Sequence, residues 1–251
     1  MSVRLPSAEC YAPQVEREQL WLPVLAPQLP FAIPCPLAEG RPSADHPWPW
    51  SIYEWIPGQR ADEAAIADIT TFATDLAGFL TRLWRIGTDG APHAGQQTFH
   101  RGGDLRVYDG EARQVLGELA DEADVPLMTD LWDLALASTW QDKPVWVHGD
   151  MAVGNLLVRE GKLAAVIDFG CCCIGDPACD LVIAWTLFDQ PARRAFRREI
   201  GVDRHTWERA RGWCLWKALI SIAGARGRDE GLADRHRRWI AEILADDGAD
   251  M

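Results

Sequence analysis

The spacing of apolar positions changes repeatedly along the chain, and each change marks an element. Val3-Arg4-Leu5 reads as a short strand, whereas Gln14 to Leu25 sets Val15, Leu22 and Leu25 at helical spacing before Pro27 and Pro30 end the run. Residues 34–49 are rich in Pro and turn formers. Trp50-Ser51-Ile52-Tyr53-Glu54-Trp55-Ile56 then has the aromatic and β-branched make-up of a strand, closed by Pro57-Gly58, and a lobe boundary is expected there.

From Asp62 the period is helical. Ile66, Ile69, Phe72, Leu76, Phe79, Leu80 and Leu83 recur at three- and four-residue steps, which predicts one long amphipathic helix capped by Asp62. The segment 87–108 is loop-like and carries His93, His100 and Arg101-Gly102-Gly103, with helices expected over Glu111–Ala120 and Met128–Ser138. Val145–Val147, Leu156–Val158 and Leu163–Ile167 predict a strand and then a hairpin turning at residues 159–162. Four helices follow by pattern, over Ala178–Phe188, Ala192–Ile200, Thr206–Ala223 and Leu232–Leu244. A small antiparallel element thus interrupts a mainly helical C-terminal part, and its polar residues gather at strand ends, where catalytic groups are commonly displayed.

Those polar residues form an ordered set. Asp150 is followed five positions later by Asn155, the offset of the Asp and Asn in the H-R-D-x-x-x-x-N loop of protein kinases. Such a loop can set one carboxylate beside an attacking hydroxyl while the amide oxygen turns toward a magnesium ion. Asp150 is the candidate proton acceptor. Asp168 opens an Asp-Phe-Gly triplet directly after an apolar strand, a position suited to a second oxygen ligand for a hard cation. His148 reads as a loop-fixing histidine, Asp176 as a helix cap, and Asp180 as a brace for the catalytic loop.

Composition narrows the class. Hydrophobic residues at 48% and charged residues at 25% describe a globular protein. A net charge of -12 argues against a nucleic-acid surface and suits a cationic small molecule. The sequence shows no run of about 18 apolar residues and no signal-peptide pattern, so no membrane partner is expected and the cytoplasm is the default compartment. The odd set of seven cysteines, with Cys171, Cys172 and Cys173 adjacent, fits reduced thiols better than a disulfide framework or a zinc site.

HGDMAVGNLLV followed by VIDFGCCCIGDPACDL resembles the aminoglycoside phosphotransferase family, a small-molecule branch of the protein-kinase-like fold. The resemblance implies an α+β, protein-kinase-like two-lobed fold, with residues 1–57 as a shortened nucleotide lobe and hinge and 58–251 as a helical lobe. It implies ATP, or GTP in its place, as phosphoryl donor, with Mg2+ held by Asn155 and Asp168, and Asp150 as base. The acceptor is then a hydroxyl of an amino sugar or similar small molecule. Tyr53-Glu54-Trp55 is similar to the hinge that meets the adenine. Arg4 takes the place of the usual nucleotide-contacting lysine, and Glu18 that of its glutamate partner. The family's phosphate-covering loop has no counterpart before Val3, which raises a second reading: a kinase-like protein with impaired turnover that binds nucleotide or a partner. Arg101 to Leu105 and the segment from Thr206-Trp207 to Trp216-Lys217 resemble family members without an assigned antibiotic substrate.

Overall fold

Asp68 begins the long central helix. Its Oδ1 accepts from the backbone N–H of Thr70 at 2.9 Å and of Thr71 at 3.1 Å, so α2 spans Ile69–Trp84. Asp62, the expected cap, is instead held by Arg60, with Nε 3.0 Å from its Oδ1. The apolar period extends upstream because Ile66 packs on the core from outside the helix. Side-chain oxygens that close the first turn's orphan N–H groups decide a helix start, whereas periodicity only brackets it.

A computed structural model describes residues 1–119 and 124–246. Its N-terminal part has β1 (Ser2–Arg4), α1 (Ala12–Leu25), β2 (Pro36–Gly40) and β3 (Trp50–Tyr53), followed by the two-residue β4 (Gln59–Arg60). The strands form an antiparallel sheet in the order β1-β3-β2, pairing Val3 with Ile52 and Gly40 with Trp50. The expected strand over 50–56 therefore stops at Tyr53. The segment read as turns contains β2, whose Pro and Gly ends disguise it. Gly40 is required where it stands, because a Cβ there would lie 1.9 Å from the Trp50 indole.

After α2 come α3 (Asp109–Glu118), α4 (Val125–Leu136), β5 (Val145–Val147), β6 (Leu156–Arg159), β7 (Lys162–Val166) and β8 (Cys173–Gly175). The end expected for α3 at Ala120 lies outside the described residues. Four helices follow among the described residues: α5 (Ile183–Thr186), α6 (Gln190–Ile200), α7 (Arg204–Ala225) and α8 (Glu230–Ala245). The helix expected over Ala178–Phe188 is mostly a tighter 3-10 segment, Pro177–Val182, leading into the single turn of α5.

The hairpin β6–β7 joins β4, while β5 pairs with β8, a strand hidden in the cysteine run. Apolar side chains fill one continuous core, with α2 packed on α6 and α7 on α8. Helix α7 is buried nearly all round, with Trp207 and Trp213 among the fully buried side chains. Two of its polar side chains, Arg209 and Lys217, reach the strand ends that display Asp176 and Asp150.

Candidate active site

Strand β5 ends at Val147, and the next residues make the turn that displays Asp150. Gly149 has φ +82°, and a Cβ at that position would lie 2.5 Å from the Cys171 carbonyl oxygen, so only glycine fits. Asp180, fully buried, receives the backbone N–H of His148 at 2.7 Å and of Gly149 at 2.8 Å. Burial pushes the Asp180 carboxyl up, against the pull of His148 and of these N–H groups.

His148 is also fully buried. Its Nδ1 accepts from the Asp150 N–H at 3.2 Å, which places the ring proton on Nε2, 2.9 Å from the Ile167 carbonyl oxygen. The imidazole packs edge-on against Phe169 with ring centroids 4.6 Å apart. One side chain thereby ties the Asp150 turn to the backbone entering Asp168.

Asp150 is gripped from α7: Lys217 Nζ lies 2.8 Å from its Oδ1. Burial pushes this carboxyl up, but Lys217, with His148 and Arg101 behind it, outweighs burial and holds it below the usual range. Asn155 commits its amide nitrogen to the Asp150 carbonyl oxygen at 2.8 Å, and its backbone carbonyl accepts from the Ile167 N–H at 2.8 Å. Its Oδ1 is then the side-chain atom left for another ligand. Asp168 sits in the left-handed region with φ 66°, a conformation that costs a non-glycine residue about 1–3 kcal/mol and recurs at ligand sites.

Arg4, at the end of β1, bridges two acids. Nη1 lies 3.2 Å from Glu18 Oε1 and Nη2 lies 2.5 Å from Asp168 Oδ1. Tyr53 Oη donates to the second oxygen of Glu18. Burial raises the Glu18 carboxyl, with Arg4 and Tyr53 opposing, whereas neighbouring Glu16 is exposed. Burial lowers the Arg4 guanidinium, but Glu18 and Asp168 outweigh it and raise it.

Two cavities meet along this row. The first, about 530 Å³, is bordered by Arg4, Gln14, Glu18, Tyr53, Phe99, Arg101, Asp150, Asp168 and Cys171. The second, about 490 Å³, is bordered by Arg4, Tyr53, Glu54, Trp55, Ile56, Asn155, Leu157, Ile167 and Asp168. Arg4, Tyr53 and Asp168 are common to both, so they form the wall between a slot lined by residues 53–56 and a chamber lined by Asp150. His148, Asp176 and Asp180 lie behind the site. Asp176 caps the 3-10 segment through the Ala178 N–H at 3.1 Å and pairs with Arg209, whose Nε is 2.7 Å from Oδ2, both side chains buried.

Sequence reasoning did not single out Lys217, Arg101 or Arg209 as site residues. The available signal was a cation stranded in apolar surroundings, as Lys217 is between Trp216 and Ala218. Cys171 lines the first cavity, and burial pushes its thiol up to about 11, so it is not a thiolate near neutrality. Among the described residues no group of three or more His, Cys, Asp or Glu side chains is placed to hold a metal. No described helix is long and apolar enough to cross a membrane.

The fold is that of solved phosphotransferases. The GDP and kanamycin complex of APH(2")-IIia superposes with a TM-score of 0.70 at 18% identity, covering 98% of this chain and 86% of that one. The streptomycin-ATP-APH(2")-IIa ternary complex gives 0.59 at 17% identity, covering 97% and 84%. Macrolide 2'-phosphotransferase MphH from Brachybacterium faecium, an apoenzyme, gives 0.58 at 21% identity, covering 93% and 83%. No curated protein matches the sequence. The family model for the phosphotransferase enzyme family, APH, matches residues 1–213, and on that match, over most of its length, the chain belongs to this family.

Proposed function

We propose that this phosphotransferase moves the γ-phosphoryl group of ATP, or of GTP in its place, to a hydroxyl of a small molecule. One observation carries the reading: Asp150 borders one cavity, Asn155 and the 53–56 segment border the next, and Asp168 borders both. The nucleotide base then lies against Tyr53, Glu54 and Trp55, and the acceptor enters on the Asp150 side. Residues 1–57 form the nucleotide part and 58–251 the part that carries the catalytic loop.

The donor set fits magnesium. A hard cation bound with nucleotide needs one or two protein oxygens, the rest coming from phosphates and water. Asp168 offers a carboxylate, and Asn155, its nitrogen already engaged, offers an amide oxygen. Bound there, the ion would neutralise charge on the transferring group. Asp150 orients the acceptor hydroxyl and takes its proton as the oxygen bonds to phosphorus, while the bond from the γ-phosphorus to the bridging oxygen breaks and leaves ADP. Arg4, steadied by Glu18, faces the phosphates bidentately where a lysine would make a point contact.

The contact between Arg4 and Asp168 favours a second reading. A carboxylate already paired with a guanidinium must exchange that partner to bind metal, so a nucleotide-binding protein with impaired turnover is the rival. Magnesium-dependent ATP turnover across amino sugars and small alcohols, with Asp150→Ala and Asp168→Ala as controls, separates the two. Nucleotide binding without turnover above the controls would establish the rival.

A further inference from the structure

Arg4, Arg60 and Arg101 border the two cavities, and two of them are already matched to acids. Arg4 serves Glu18 and Asp168, and Arg60 serves Asp62. Arg101 has no such match: among the described residues its guanidinium makes no ion pair and no hydrogen bond. It lies over the ring of Trp216, 4.5 Å from the centroid, and 5.6 Å from that of Trp213. An indole face attracts a guanidinium yet satisfies none of its five N–H donors. Glu111 touches the same indole from elsewhere, accepting from Trp216 Nε1 at 2.7 Å, and is not in ion-pair reach of Arg101.

We propose that the acceptor carries an anionic group, a carboxylate or phosphate, which the Arg101 fork holds while the acceptor hydroxyl lies at Asp150. This inference rests on the phosphoryl-transfer reading, and Arg101 borders the same cavity as Asp150.

The backbone leading to Arg101 supports a built site. Phe99 and His100 both adopt left-handed conformations, with φ 50° and 52°. Consecutive strained residues persist only where the surroundings over-determine them, as ligand clamps do. Here Tyr108 Oη donates to the Phe99 carbonyl at 2.5 Å, the Arg101 N–H to the Thr98 carbonyl at 3.0 Å, and Cys173 Sγ to the Arg101 carbonyl at 3.2 Å. A cationic amino sugar finds the opposite surroundings. The three carboxylates of the chamber, those of Glu18, Asp150 and Asp168, already have cationic partners. The net charge of -12 attracts cations only at long range and through salt, so the contact charge decides.

The test uses three hexoses of one ring and different charge: D-glucuronate, D-glucose and D-glucosamine. Their binding to the full chain saturated with magnesium and a non-hydrolysable ATP analogue is measured by calorimetry, for the parent, Arg101→Gln and Arg101→Lys. Glucuronate should bind tightest, Arg101→Gln should weaken it roughly tenfold or more with glucose unaffected, and Arg101→Lys should retain part of the preference. Unchanged nucleotide affinity in the variants certifies their folding. Glucosamine binding as tightly as glucuronate, no glucuronate binding, or glucuronate binding that ignores Arg101→Gln overturns the proposal. Glucuronate preference that depends on Arg101 but without ATP turnover on any acceptor sustains the anion site and removes the transfer reading instead.

Discussion

Lys217 Nζ lies 2.8 Å from Asp150 Oδ1, although the two residues are 67 positions apart in the chain. Burial alone would push the Asp150 carboxyl up, and Lys217 is the largest of the influences that bring it down. In the proposed mechanism Asp150 is the base and works deprotonated, so a lowered carboxyl keeps it competent below the ordinary carboxylate range. Replacing Lys217 by Met removes the cation and leaves burial in charge. The acid limb of kcat/KM should then move to higher pH, with lower activity on the acid side first. An acid limb that stays in place in the pH-rate profile would show that Lys217 does not act on Asp150.

Asp150 and Asp168 should separate kinetically. Asp150→Asn is expected to lower kcat about 10²- to 10⁴-fold while leaving the affinity for magnesium-nucleotide nearly intact. Asp168→Asn should weaken magnesium-nucleotide binding itself. Steady-state kinetics with calorimetric nucleotide titration measures both, and matching losses in the two variants would contradict the assignment.

Arg4 should govern a pH-dependent part of stability. Glu18 is buried with its carboxyl already raised, so the folded state keeps a proton that the unfolded chain releases. Stability from that source falls as pH rises from the ordinary glutamate range through the raised value. Arg4→Ala removes the main opposing charge, raises Glu18 further and should steepen the fall in Tm with increasing pH. Arg4→Lys should restore most of the parent slope. Thermal melts at a series of pH values provide the check.

Asp176 and Arg209 are both buried and make two contacts, at 2.7 and 3.2 Å. Asp176→Ala strands a guanidinium and should cost about 3–5 kcal/mol in chemical denaturation. The double variant Asp176→Leu with Arg209→Met should lose less than Asp176→Ala alone, because no charge is left buried without a partner. A double variant less stable than Asp176→Ala would mean that the ion pair itself, and not the stranded charge, carries the stability.

Much of the architecture was legible because periodicity reports which face is buried. The long apolar series fixed the middle and end of α2 but not its start, since the period runs on to Ile66 outside the helix and only the hydrogen bonds show that Asp68, not Asp62, is the cap. Strands β2 and β8 escaped notice because each is short and is held by its partner: Pro36–Gly40 pairs with β3 through backbone atoms, and Cys173–Gly175 completes β5 from 28 residues away by the register Val145 with Gly175, Val147 with Cys173. Asp150, Asn155 and Asp168 were legible as a set because their spacing is local, and the structure gathers them about adjoining cavities. Lys217 and Arg101 reach the same place across the fold. A single chain's sequence shows no pairing between residues so far apart, so Arg101 and Lys217 stood out only inside two segments that resemble family members, with no role attached to either.

The pairing of β5 with β8 makes the stretch from Val145 to Gly175 a ring closed by hydrogen bonds, with the β6–β7 hairpin as a second, inner closure. In an open chain an extra residue is absorbed by slack. In a closed one it must bulge from the connection or displace a seam, and a seam shifted by one residue turns every side chain on it to the opposite face. His148, Met151, Phe169 and Cys172 are buried, so an insertion between His148 and Asn155, or between Val166 and Cys173, disturbs packed side chains either way. The motif's spacing is a circumference, which explains how intervals counted along the sequence can foretell positions in space.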